Sequence, residues 1–323
     1  IFVTASQSSD SAYSYNTVTV VLLTEVVKLV VSVTLYCKDY TVSSLIKEVQ
    51  INSRVMVLYF VPAFLYCLYN NLTFVNLSAF DPTTYYLLLQ FRVVVTGIIF
   101  QILFRKKLSS KQWLSLILLT AGCMIKQIDP TVTGTAKSSA TVATPKSDSS
   151  FHLSINLVFI LVQTLCSCFA GVYNEYLLKG EGAGVNIYVQ NVFMYVDSIV
   201  CNAGILLWQR NLLGAFTLDS LMSVFQFKVI IIMFNNAAVG IITSFFLKNL
   251  NSILKTFASA LELMFTAILC WLLFGIPIYI NTLLAISIVS YAVILYSQNP
   301  VVNAAKPIPE GEKFLNDEGT EEV

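Results

Sequence analysis

Charge is what this chain has least of. Only 11% of its 323 residues are Asp, Glu, Lys or Arg, against about 25% in an ordinary soluble domain. Nineteen basic and 18 acidic residues leave a formal net charge of +1. Nothing basic is clustered enough to track a phosphate backbone, which argues against nucleic acid as a partner. Histidine occurs once, as His152, with no cysteine or carboxylate at ligand spacing, so metal chemistry is not expected. Seven cysteines, at 37, 67, 123, 166, 168, 201 and 270, fall mostly inside apolar runs, which suggests packing rather than a disulfide framework or zinc site. The sequence also lacks a Ser-His-Asp set, a Gly-rich phosphate loop with its Lys and a pair of catalytic carboxylates. An enzyme is therefore disfavoured, and no cofactor is implied.

What is present is apolar. Hydrophobic residues make up 56% of the chain and the mean hydropathy is +0.74, the signature of an all-α polytopic membrane protein. Nine spans near the roughly 20 residues needed to cross a bilayer are predicted, at 15–36, 55–76, 83–104, 112–128, 153–178, 186–207, 229–247, 256–274 and 278–297. Residues 1–128 read as a first transmembrane half, 129–152 ("PTVTGTAKSSATVATPKSDSS" within it) as a flexible linker, 153–298 as a second half, and 299–323 as a disordered acidic tail. Placing the segment after the first span in the cytosol collects ten Lys or Arg there, from Lys38 to Lys255, against four opposite, Lys137, Lys146, Arg210 and Lys228. By the positive-inside rule the tail is then cytosolic and the linker luminal. A start without methionine on the luminal side suggests that a first helix is missing, which would make ten.

A shift of 170 residues superposes the segment from Ile102 on that from Leu272, matching Leu103 with Leu273, Phe104 with Phe274, Leu114 with Leu284 and Thr96 with Thr266. Five helices per half would make the repeats inverted, an arrangement suited to alternating access around a midplane site.

Polar residues inside spans need a partner, a wet cavity or a function, since a charge at the bilayer centre costs about 2.5–3.5 kcal/mol on insertion scales. Glu25 and Lys28 lie three apart on one helical face and can pair, or Lys28 can face an aqueous cavity with Glu25 holding it. Arg92 lies deep in its span on the face of Tyr85 and Thr96. Glu262 is its equivalent under the shift and a candidate structural partner across the halves. Lys255 leads into a helix, where a phosphate would be favoured. Asn70 and Asn71, Gln190 and Asn191, and Asn235 and Asn236 offer amides for a nucleobase edge or for helix contacts. Glu175 and Lys179, four apart in "CSCFAGVYNEYLLKGEG", are expected to form a surface pair at a helix end stopped by Gly180, Gly182 and Gly184. The sequons at Asn71 and Asn76 fall inside or close to the membrane.

The stretches "LTEVVKLVVS" from Leu23, "NNLTFVNLSAFD" from Asn70, "TTYYLLLQFR" from Thr83, "LSSKQWLSL" from Leu108, "CSCFAGVYNEYLLK" from Cys166, "QNVFMY" from Gln190 and "ITSFFLKNLNSILKTFAS" from Ile242 resemble the nucleotide-sugar transporters. The likeness is to the subfamily of the Golgi CMP-sialic acid and UDP-galactose transporters. It implies a ten-helix drug/metabolite transporter fold of inverted five-helix repeats in the Golgi membrane. It also implies exchange of a cytosolic nucleotide-sugar for luminal nucleoside monophosphate, with a UDP-sugar such as UDP-galactose or UDP-N-acetylhexosamine preferred over CMP-sialic acid. By resemblance, Lys28 belongs to the phosphate or sugar region, and Lys111 and Lys255 are basic groups at the cavity. Tyr85, Ser167, Asn191, Tyr195 and Thr243 line or adjoin the nucleotide pocket. Arg92 departs from a lysine, Asn174 from an aromatic residue and Glu262 from alanine. Glycosyltransferases or a second copy of the chain are further candidate partners. Another metabolite on the same fold, or a scaffold that does not transport, are the competing functions.

Overall fold

The computed structural model of the chain describes residues 15–80, 82–127, 147–210, 214, 216–274 and 280–301. Within these residues the chain is helical with no strand, because a backbone in lipid must satisfy its own N–H and C=O groups. The helices are α1 (Thr17–Cys37), α2 (Val42–Ile51), α3 (Ser53–Ala79), α4 (Pro82–Leu89), α5 (Arg92–Phe104), α6 (Ser110–Gln127), α7 (Ser147–Lys179), α8 (Ile187–Trp208), α9 (Leu218–Val224), α10 (Phe227–Asn249), α11 (Ser252–Phe274) and α12 (Ile280–Ser297). Seven segments among the described residues are long and apolar enough to cross a membrane: α1, α3, α8, α10 and α12, Tyr85–Phe104 through α4 and α5, and Ile155–Lys179 within α7. Among the described residues, each of the nine expected spans falls mainly on helix.

Local chemistry sets several helix starts. The Asn16 side chain accepts from Val18 N and Thr19 N at 3.0 and 3.2 Å, and Asn186 accepts from Tyr188 N at 2.9 Å, satisfying donors that a first turn leaves over. Two helices were not foreseen. α2 is too short to span, is capped by Thr41 and turns Leu45 inward; α9 is shorter still. The helix α7 begins at Ser147, inside the stretch read as linker, since Ser and Asp mark helix starts as readily as loops. The rest of that stretch, 128–146, and the tail beyond 301 lie outside the described residues.

The third span is broken. Gln90 N bonds to Leu87 O at 3.2 Å and Val93 N to Gln90 O at 3.1 Å, so i→i+3 bonds tighten the turn between α4 and α5. Arg92 opens the second piece.

The 170-residue shift holds for whole elements. It carries α6 onto α12 at both ends, residues 82–104 onto α11, the start of α1 onto that of α8, and the end of α3 onto that of α10. α6 and α12 pack side by side: a Cβ at Gly122 would meet Val289 Cγ2 at 2.8 Å, while Gln112 Nε2 donates to Asn299 O at 2.7 Å. Low numbers on α6 thus face high numbers on α12. Equivalent helices run antiparallel, so these two repeats are inverted. Val93, Phe100, Leu116, Leu119, Phe257, Ala285 and Val289 fill the core between them.

Glu175 and Lys179 differ from expectation. They pair at 3.1 Å, but their side chains are 0% and 4% exposed, so this is a buried pair and not a surface one. Glu175 Oε2 accepts from Ser252 N at 2.7 Å and Ser252 Oγ at 2.8 Å, and Lys179 also donates to the Leu250 carbonyl. The turn between α10 and α11 folds over the end of α7. A carboxylate from α7 thereby meets the positive N-terminal end of α11, beside the Asn251 cap on Leu254 N.

Candidate substrate cavity

Midway along the spans, α1, α3, α4, α5, α7, α8, α10 and α11 enclose a cavity of about 450 Å³, within the roughly 300–1,000 Å³ of small-molecule sites. Its wall repeats itself. Thr24 and Met194, Glu25 and Tyr195, Lys28 and Ser198, Tyr66 and Asn236, Asn70 and Gly240, Thr73 and Thr243, Tyr85 and Lys255, and Arg92 and Glu262 are equivalent positions under the shift, and both members of every pair line the cavity. The cavity therefore sits between the inverted halves. Apart from Thr73 and Thr243 the chemistry at these paired positions differs, so a repeated frame carries an unsymmetric set of side chains.

Lys28 Nζ lies 2.7 Å from Glu25 Oε1 and 5.5 Å from the centroid of the Tyr195 ring, a cation–π distance. The two residues are paired, and both line the cavity. Arg92 and Lys255 line the same cavity, near enough for their charges to act on one another, and the Cys168 thiol donates to the Arg92 carbonyl at 3.3 Å. Glu262 lines the cavity as well. Three cations against two carboxylates leave the lining with an excess of positive charge.

Tyr85 is held by an amide network. Gln163 Nε2 donates to Tyr85 OH at 2.7 Å and to Thr73 Oγ1 at 2.8 Å, while Gln163 Oε1 accepts from Asn76 Nδ2 at 2.6 Å. All three helices α3, α4 and α7 are tied at that point. The Asn76 sequon is thus occupied within the bundle, and the Asn71 amide likewise donates to Cys67 O and Asn202 Oδ1 at 2.9 and 3.0 Å.

Of the residues singled out in the sequence, Lys28, Tyr85, Arg92, Ser167, Tyr195, Thr243, Lys255, Glu25 and Glu262 all line the cavity. Lys111 does not. It is exposed in the first turn of α6 and borders a separate groove with Lys107, Ser109, Gln112, Gln298 and Asn299. Asn191 is buried one turn from Tyr195 on the same face of α8, and its Nδ2 has no hydrogen-bond partner; it adjoins the lining without forming it. Among the amides, Asn70 and Asn236 face the cavity, while Gln190 turns away to bond Tyr59, Gly182 and Val185. Gln90 lines the cavity too, and Tyr66 and Gly240, which the sequence did not single out, join the wall.

A central cavity with charged side chains between inverted helical repeats is the architecture of a membrane carrier. The family model described as nucleotide-sugar transporter matches residues 1–297, and the chain belongs to that family, a family of Golgi multi-pass membrane transporters and not of enzymes. It is 62% identical to the UDP-galactose transporter senju of Drosophila melanogaster, over 96% of this chain and 85% of that protein. CMP-sialic acid transporter 1 of Oryza sativa subsp. japonica is 27% identical over 96% of the chain and 93% of that protein. CMP-sialic acid transporter 2 of Arabidopsis thaliana is 31% identical over 87% and 68%.

Proposed function

We propose that the protein exchanges a cytosolic UDP-sugar, UDP-galactose foremost, for luminal UMP across the Golgi membrane by alternating access. The observation that carries the reading is the cavity wall itself, where Lys28 and Arg92 from the first repeat and Lys255 from the second line one space. Inverted repeats can exchange conformations about such a site, opening it to each side in turn. Arg92 and Lys255 repel each other until an anion stands between them, and a guanidinium and an ammonium are the groups that take phosphate oxygens. Tyr85, fixed by Gln163, with Ser167, Tyr195 and Thr243, offers rings and hydroxyls for uracil and ribose. Galactose is chosen because the 62% identical relative is named for it, and the cytosolic tail follows from the distribution of lysine and arginine.

Thermal shift of the purified protein with UMP, CMP and GMP tests the base. A ligand that binds only the folded state raises its apparent stability. UMP should stabilise most; a flat response to all three contradicts the reading, and a larger response to CMP moves it to CMP-sialic acid.

A further inference from the structure

We infer that Gly240 is a positioning residue for Lys28: the bare backbone of α10 at this point is the seat that holds the lysine ammonium at the anion site. The inference rests on the nucleotide reading of the cavity. A Cβ at Gly240 would lie 2.7 Å from Lys28 Cε, 3.1 Å from Nζ and 3.2 Å from Cδ, and these are its three nearest neighbours. Gly97 and Gly122 have a different cause, since their hypothetical Cβ atoms meet Leu116 and Val289 at helix–helix crossings.

Nothing in the α10 backbone asks for glycine. The helix runs unbroken from Phe227 to Asn249, and Gly240 has no positive φ, so alanine would suit the helix backbone better than glycine. The residue that gains is Lys28. Its flexible four-carbon stem is held from three sides: Glu25 of its own helix at 2.7 Å, the Tyr195 ring of α8 at 5.5 Å, and Gly240 of α10. The shift supplies an internal comparison. The equivalents of Lys28 and Gly240 are Ser198 and Asn70; where the lysine's equivalent is short, the glycine's equivalent carries a full side chain.

Because the close contacts are to the far end of a lysine, a methyl group at 240 moves the ammonium and leaves the helices in place. The experiment measures affinity for UMP and for uridine by isothermal titration on the purified full chain as wild type, Gly240→Ala, Lys28→Ala and the double variant. Lys28→Ala should weaken UMP about ten- to a hundredfold, the loss of a charge-assisted hydrogen bond. Gly240→Ala should weaken UMP about five- to tenfold as part of the same interaction, and leave uridine, which has no phosphate, unchanged. The double variant should match Lys28→Ala, because a seat has no role without its occupant.

Wild-type affinity in Gly240→Ala overturns the inference. So does an equal loss for uridine, or a double variant weaker than Lys28→Ala by the full Gly240→Ala factor. If Gly240→Ala does not fold, Lys28→Ala in the same chain should restore folding, and failure to do so is equally contrary. A wild type that binds no UMP fails at the nucleotide reading and takes the seat with it, an outcome distinct from binding that ignores position 240.

Discussion

Removing the Glu175 carboxylate should destabilise the protein far more than a helix-end ion pair would. Glu175→Ala leaves the Lys179 ammonium, 4% exposed, without its counter-charge, and Ser252 N and Oγ without the oxygen they meet at 2.7 and 2.8 Å. Breaking one side of a buried pair costs about 3–5 kcal/mol, and the orphaned amide falls within that range and does not add in full. About 4 kcal/mol at about 2 °C per kcal/mol for a chain of this size predicts a fall of about 8 °C in apparent Tm. Glu175→Gln keeps an acceptor for Ser252 and loses only the charge, so it should fall about half as far. The double variant Glu175→Leu/Lys179→Met removes both charges together and should come back near the wild type, since a buried pair is often no better than apolar side chains of similar volume. The assay is the monodisperse fraction surviving a temperature ramp in detergent. A surface pair is worth about 0–1 kcal/mol; if Glu175→Ala shifts Tm by no more than about 2 °C, or the double variant is as unstable as the single one, the buried clamp is refuted.

Arg92→Ala and Lys255→Ala should each weaken UMP binding at least about tenfold in a titration, whereas Lys111→Ala, in its separate groove, should change it less than about twofold. Gln163→Leu removes three hydrogen bonds and strands the buried Asn76 amide, so it should lower apparent stability by about 2–3 kcal/mol and raise the UMP Kd as Tyr85 loses its restraint. Gly122→Leu should abolish monodisperse protein in size-exclusion chromatography, because its Cβ already meets Val289 at 2.8 Å; Gly204→Ala, with open space at that Cβ, should leave Tm unchanged or raise it.

Hydropathy made the spans readable, since lipid demands long apolar helices and excludes charge. That same exclusion exposed Lys28, Arg92 and Glu262, which stand out because so few residues of their kind lie inside spans, whereas Lys255 was marked only by leading into a helix. Lys111 shows where this stops: a lysine at a helix start looks alike whether it faces a cavity or an outer groove, and only the folded chain separates the two. The spacing of Glu175 and Lys179 gave their pairing but not their burial, which depends on a turn 70 residues away in sequence folding over them. The break at Gln90 was silent because no proline or glycine marks it. Tyr66 and Gly240 carried no signal of their own; the register of 170 residues, once helix bounds are fixed, pairs them with Asn236 and Asn70 and brings them onto the wall.

The most direct measurement of exchange is counterflow in proteoliposomes reconstituted with the purified protein. Uptake of labelled UDP-galactose should depend on UMP loaded inside, be competed by UMP outside, and fall at least about tenfold in Lys255→Ala. UDP-galactose uptake that is absent, or indifferent to internal UMP and to Lys255, would contradict nucleotide-coupled exchange through this cavity.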